Sequence, residues 1–300
     1  MNERARLTII LVFLGAGWGM TQPLTKITVD AGYLPFGLIF WQLAIGAVLT
    51  STLLLIQRKP LPLSAKTFGF FAMIALIGTL IPNTASYRAA FFLPAGVMSI
   101  VIATIPMLAF PIALALGTDW FTWRRMAGLS LGLLGVSLIA FPEASLPDRA
   151  MVAILPLALI APLCYAIEGN VVAKWGTGGL DPVQLLCGAS CLGTAIALPL
   201  ALSTGQFIDP RPPYILADLA FLLSSLIHVS VYITYVWLVG RAGAVFAGQV
   251  SYLVTGFGVI WAILLLGERY SGWVWAALVL MLCGIALVRP RHVDAKIEHD

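Results

Sequence analysis

Charge is what this 300-residue chain has least of: 10% of its residues are Asp, Glu, Lys or Arg, against 60% hydrophobic. So few charges cannot clothe an ordinary soluble protein, and a mean hydropathy of +0.98 makes lipid the expected solvent. Cysteine is scarce as well. Cys164, Cys187, Cys191 and Cys283 fall in apolar runs with no CxxC pair and no nearby His cluster, which excludes a disulfide framework and a metal site from the expectations. No HExxH, no GxSxG and no paired mid-segment aspartates are present, so the chain does not read as an enzyme. No GxxxxGK followed by Ser or Thr occurs either, which argues against a self-contained ATP-driven pump, and no cofactor is expected.

What is there is apolar sequence in long runs. A spanning helix needs about 20 mostly apolar residues, so the chain has room for roughly ten spans joined by short loops. Apolar stretches predict helices at about 7 to 26, 36 to 56, 68 to 88, 94 to 116, 124 to 141, 150 to 173, 183 to 203, 217 to 239, 243 to 266 and 271 to 288. The breaks carry charge or helix-breaking residues: Arg58-Lys59-Pro60, Arg124-Arg125, Pro142-Glu143, Gly176-Thr-Gly-Gly and Asp209-Pro-Arg-Pro-Pro. The charged start and first apolar run resemble a signal peptide, but the run continues through Trp18 and Gln22 without a convincing cleavage site, so a retained first helix is expected.

The net charge of +4 comes from basic residues in loops, which reads as a topology signal rather than as a nucleic-acid surface. With ten spans, Lys26, Arg88, Arg149, Arg211 and Arg269 fall on one face, and the other twelve of the 17 Lys and Arg fall on the face of both termini. The positive-inside rule then places both termini in the cytoplasm of a multi-pass cell-membrane protein, with a prokaryotic cytoplasmic membrane as its location.

The two halves echo one another at an offset of about 147 to 150 residues. Ala95-Gly96 running to Leu116-Gly117 returns as Ala242-Gly243 running to Leu266-Gly267-Glu268; Lys26 meets Lys174, Pro35 meets Pro182, Tyr87 meets Tyr235 and Gly135 lies close to Gly284. The expected fold is therefore all-α and integral to the membrane: ten transmembrane helices in two five-helix repeats, residues 1–147 and 148–290, then a tail at 291–300. An odd number of helices per repeat makes the repeats inverted, an arrangement that can show one central site to either side of a membrane in turn.

Ionisable groups inside spans are costly and so are functional candidates. Glu168 shares a helix face with Tyr165; it can take a proton, pair with a cationic solute, or form a structural pair with Lys174. His228 joins Ser225, Tyr232 and Tyr235 in one polar and aromatic stripe, lining a cavity or bonding to a neighbouring helix. Trp18 and Gln22, Asn83 and Tyr87, and Gln249 and Tyr252 complete a set that would wall a pocket for a small amphipathic solute. Trp120, Trp123, Trp273 and Trp275 flank span ends as an interfacial belt, and Gly128, Gly132 and Gly135 suit close helix packing in the fold or in a homodimer.

The early Trp18-Gly19 before Lys26, Tyr87-Arg88 before Ala95-Gly96, Arg241-Ala242-Gly243 and the run Leu265-Leu266-Gly267-Glu268-Arg269 resemble the EamA-type drug/metabolite transporter superfamily over nearly the whole chain. Departures are Gly117-Thr118-Asp119 where the second half has Gly267-Glu268, and Tyr252-Leu253-Val254 where family members often carry a Pro. The resemblance implies secondary transport of small metabolites, frequently export of amino acids or related amphipathic compounds; the inverted repeats add alternating access, and Glu168 adds proton coupling as a candidate drive. Exchange of phosphorylated or nucleotide-linked solutes is the alternative in the same superfamily, and an intramembrane enzyme using His228 or Glu168 the alternative outside it.

Overall fold

The computed structural model describes residues 3–118, 120–140, 146–242 and 250–287, and among these it is helical throughout, without strands. The helices are α1 (Glu3–Asp30), α2 (Pro35–Gln57), α3 (Ala65–Ala90), α4 (Ala95–Ala115), α5 (Trp123–Ala140), α6 (Arg149–Trp175), α7 (Pro182–Ser203), α8 (Leu216–Ala242), α9 (Val250–Leu266) and α10 (Gly272–Leu287). Seven of them, α1 to α4 and α6 to α8, are long and apolar enough to cross a membrane; α5, α9 and α10 contain shorter apolar stretches. Large apolar side chains such as Phe13, Leu55 and Leu264 point outward, as a lipid-facing surface requires. Trp120, Trp123, Trp273 and Trp275 are exposed at the ends of α5 and α10.

The ends of these helices are chemically closed. Ser64 and Thr67 form a capping box at the start of α3, and Asp181 and Gln184 form another at α7, where Pro182 supplies the preset φ of the first turn. The repeat-related Gly117 and Gly267 both take positive φ, 68° and 66°, just past the ends of α4 and α9, a conformation that suits glycine because it lacks a Cβ. Lys26 Nζ donates to the Ala90 carbonyl at 2.9 Å beyond its i,i+4 pair with Asp30, and Lys174 Nζ donates to the Leu116 carbonyl at 2.8 Å. Each lysine thus places positive charge at the C-terminus of a neighbouring helix, where the helix dipole favours it.

Helices interrupted near proline form the middle of the molecule. In α3 the segment Ile74–Leu80 is a π-helix that leads into Pro82. Pro82 has no N–H, so a carbonyl one turn back lacks its helical donor and the register opens there. In α4 the helix breaks between Ile102 and Ile105, just before Pro106; in α6 it is interrupted at Leu159, before Pro162. Interruptions of this kind let a helix bend.

Packing follows a regular scheme. α1 lies against α8 and α9, α6 against α3 and α4, α2 against α7, α5 against α10, α4 against α9, α7 against α3 and α2 against α8. Exchanging each helix of the first five for its counterpart five places on maps this set onto itself. The pair α2 and α7 runs antiparallel: Phe36 N–H donates to Gln206 Oε1 and the Trp41 indole to the Ile208 carbonyl at one end, while Gln184 Nε2 donates to the Pro60 carbonyl and Lys59 meets Asp181 at 2.8 Å at the other. α5 and α10 also run antiparallel, since Gly135 abuts Met281 and Ala277 whereas Gly284 abuts Gly128. The glycines that sequence left open between fold and dimer are therefore occupied within the chain. Close approach of this kind provides dispersion contacts where lipid removes the hydrophobic drive between helices.

Loops tie the bundle outside the spans. Tyr33, between α1 and α2, donates to Asp218 in the first turn of α8 at 2.6 Å; burial, that hydrogen bond and the charge of Asp218 push its phenol up to about 12. For Asp181, burial alone would raise the carboxyl, but the hydrogen bond and charge of Lys59 and the capped N–H groups of Gln184 and Val183 hold it below its ordinary value. A depressed carboxylate stabilises the fold fully above its unfolded pKa of about 3.9, and that contribution is lost as pH falls through the lower folded value. Replacement Asp181→Asn keeps a capping oxygen but loses the charge facing Lys59, and should lower stability by about 0.2–1 kcal/mol at neutral pH. It should also flatten the loss of stability on acidification below about pH 4. Thermal unfolding in detergent across that range measures both effects.

Candidate functional site

Four helices bring most of the expected site residues together in the interior: α1 with Trp18 and Gln22, α3 with Asn83 and Tyr87, α6 with Tyr165 and Glu168, and α8 with His228, Tyr232 and Tyr235. The connections can be followed side chain by side chain. Tyr165 OH donates to Asn83 Oδ1 at 3.2 Å, Asn83 Nδ2 donates to Gln42 Oε1 at 3.2 Å, and Tyr87 OH donates to the same oxygen at 2.6 Å. On the other side, Tyr165 and Tyr232 both stand close enough to the Glu168 carboxylate to feel its charge. Tyr232 neighbours Tyr235, whose ring lies 5.3 Å from that of Trp18. The result is one continuous polar and aromatic wall with contributions from both halves of the chain.

Glu168 itself is only partly buried, and among the described residues its carboxylate accepts no hydrogen bond and forms no ion pair. Lys174, its expected structural partner, is engaged with the Leu116 carbonyl and lies over the Trp175 ring at 5.0 Å. Space for the carboxylate comes from Gly78 in the π-helical turn of α3: a Cβ built there would stand 2.9 Å from one carboxylate oxygen and 3.0 Å from the other. The π-turn and the acid are thus one local unit, in which irregular backbone lies beside a carboxylate.

The remaining candidates are placed as follows. His228 and Gln22 are partly buried, and among the described residues neither side chain has a hydrogen-bond partner. Ser225, at the start of the His228 stripe, donates to the Phe221 carbonyl of its own helix. Tyr252 does not join the wall. Its ring packs against the apolar cluster that includes Leu93, Val97 and Met281, and its buried hydroxyl has no hydrogen-bond partner among the described residues. Gln249 lies outside the described residues. Gln42 is the residue that sequence reasoning missed; the available signal was an amide a few residues into an apolar span, where a polar group must find partners.

A second focus lies at the end of the bundle. Glu268 accepts from the Ala95 N–H at 2.7 Å and the Gly96 N–H at 3.2 Å, capping α4, and Tyr270 OH donates to the same carboxylate. Burial, that bond and the charge of Glu268 raise the Tyr270 phenol. Gly96 leaves room for this docking, because a Cβ there would collide with the Tyr270 ring. Glu268 thus caps α4 from the loop after α9.

Comparison with known proteins places this architecture. The profile of the EamA-like transporter family matches residues 6–141 and again residues 152–289. The chain is 24% identical over 297 residues to a probable terminal-alkyne amino-acid exporter of Streptantibioticus cattleyicolor, covering 96% of this chain and 95% of that one. It is 25% identical over 299 residues to the uncharacterized transporter YvbV of Bacillus subtilis, covering 96% and 93%. A solved crystal structure shares the fold with a TM-score of 0.66 at 15% identity, over 94% of this chain and 96% of the other. The chain belongs to the EamA-like transporter family and is a multi-pass membrane protein, a transporter by family rather than an enzyme.

A partly buried carboxylate without a partner costs stability that a neutral amide of the same shape avoids. Glu168→Gln should therefore raise the unfolding free energy by about 0.5–2 kcal/mol, the range typical when a functional group is relieved. The unfolding midpoint of the detergent-solubilised variant should rise by a few degrees; a drop would show that the carboxylate is a structural anchor.

Proposed function

We propose that this EamA-family chain is a secondary active transporter of small amphipathic solutes carrying an amino group, with export as its direction and the prokaryotic cytoplasmic membrane as its location. The observation that carries this reading is the wall from Trp18 through Tyr235, Tyr232, Glu168 and Tyr165 to Asn83, because it is assembled from both halves of the chain. A site at a repeat interface is where alternating access needs one. The amino-acid exporter among the relatives supports the solute class.

In mechanism, ten membrane helices form two inverted repeats, residues 1–147 and 148–290, with both termini in the cytoplasm. The antiparallel pairs α2 with α7 and α5 with α10 support inversion, since counterparts of an inverted repeat must run in opposite directions. Aromatic faces hold the solute's apolar part and attract its ammonium group. Glu168 pairs with that ammonium or carries a proton in its place, so release of one favours uptake of the other and transport couples to protons. Gln22, Asn83 and His228 orient the solute by hydrogen bonds.

Counterflow in proteoliposomes against a mixed panel of amino acids, amines and organic acids, read by mass spectrometry, tests the reading. Saturable exchange of amino-bearing solutes is expected, with a pH dependence that Glu168→Gln removes. Persistence of the full pH dependence in that variant would take Glu168 out of the coupling role. Exchange confined to phosphorylated or nucleotide-linked anions would replace the proposed solute class.

A further inference from the structure

Gln42 differs from the structural amides of the same molecule in what its hydrogen bonds leave over. Asn170 in α6, 8% exposed, uses its Nδ2 on two carbonyls, those of Ala109 and Ala166. Gln184 uses both ends of its amide, accepting from the Asp181 N–H and donating to the Pro60 carbonyl. Gln42 is just as buried, at 9% exposure, yet only its oxygen is engaged, accepting from Tyr87 OH and Asn83 Nδ2. In this arrangement the amide oxygen of Gln42 faces Tyr87 and Asn83. Its nitrogen, with two N–H groups, has no partner among the described residues and is directed away from the network.

The network has a consistent polarity. Tyr165 and Tyr87 direct their hydroxyl protons inward onto Asn83 and Gln42, and Asn83 passes one N–H to Gln42, so the protons left uncommitted are on the Gln42 and Asn83 nitrogens. Among the described residues only the Tyr252 hydroxyl is fully buried without a partner, so the Gln42 nitrogen borders open space, where its N–H groups can meet an acceptor that enters. The face of α2 that carries Gln42 looks into the bundle: one turn on, Gly46 abuts Ser190 of α7 and Val229 of α8, and one turn back, Leu38 packs in a cluster with Ala90 of α3 and Phe221 of α8. An acceptor for these protons therefore comes from the interior and not from lipid.

The other charged group of the wall is Glu168, an acceptor when ionised, so the site has an acceptor end on α6 and a donor end on α2 and α3. Of the cations nearest this end, Arg88, next to Tyr87 in α3, is exposed, and Lys26 and Lys174 are engaged with the carbonyls of Ala90 and Leu116. We infer that Gln42, held in orientation by Tyr87 and Asn83, is the group that recognises the carboxylate of the transported solute, so that the site selects α-amino acids over the same molecules with the carboxylate masked. This inference rests on the proposed transport of amino-bearing solutes and assigns their second recognition point.

The test is binding to purified, detergent-solubilised protein, measured calorimetrically with paired probes: L-phenylalanine and phenylalaninamide, L-leucine and leucinamide. Wild type should bind each free acid about ten- to a hundredfold more tightly than its amide, the range for hydrogen bonds to a charged group. Gln42→Met, similar in length but without the N–H groups, should weaken binding of the acids by at least about tenfold. Amide binding should stay within about threefold, so that the preference collapses. Gln42→Glu keeps an oxygen for Tyr87 and Asn83 and should shift the preference towards the amides. A folded Gln42→Met variant that loses acids and amides equally, or neither, would overturn the assignment while leaving the transport reading in place. Wild type that binds no member of the panel would overturn the transport reading for these solutes, and this assignment with it.

Discussion

A polar group placed in hydrocarbon must be matched by another inside the protein, and in this molecule the matching is uneven in an informative way. At the helix ends it is thorough: Ser64 and Asp181 cap α3 and α7, Glu268 caps α4, and Lys26 and Lys174 close the carbonyl ends of α3 and α4. In the middle it stops. Glu168, His228, Gln22 and the nitrogen of Gln42 stand on four helices without hydrogen-bond partners among the described residues. On the proposed reading those four groups serve the solute rather than the fold.

The same contrast separates stiff from deformable parts. α2 and α7 are tied at both ends by hydrogen bonds and an ion pair, and α5 and α10 approach through glycines. Two of the four helices that carry the candidate residues are interrupted: α3 through its π-turn and Pro82, α6 through the break at Leu159. Glu168 lies on the Gly78 surface of that π-turn, so a change in its charge acts directly on the backbone least committed to one register. On the proposed reading, this is how occupancy of the site is felt by the helices around it.

Much of this was legible because lipid imposes simple rules. Low charge and long apolar runs announce the solvent, and Pro82, Pro106 and Pro162 lie at interruptions, since a missing N–H weakens a helix, although Pro23, Pro111 and Pro199 sit inside unbroken segments. Boundaries shifted where local pairing outlasts the apolar run: the first helix, expected at 7 to 26, extends to Asp30, where Lys26 and Asp30 pair across one turn. The spacing of Tyr165 from Glu168, and of His228 from Tyr232 and Tyr235, identified shared faces. Gln42 stayed hidden because its meaning lies in Asn83 and Tyr87, more than forty residues away, and helical periodicity says nothing about which helices meet. Tyr252 was grouped with the cavity by spacing, but its face of α9 turns towards the α4 and α10 cluster instead.

The central claim is that a single interior site, shared by the two halves, opens to one side of the membrane at a time. It is tested most directly by placing a lone cysteine at Tyr232, with the four native cysteines replaced by alanine, and labelling oriented vesicles with an impermeant maleimide from each side. The account predicts labelling from either face, competing for one population of sites, and a shift in the balance between faces when a transported solute is added. Simultaneous passage of the reagent through the protein, or permanent access from one face alone, would contradict it.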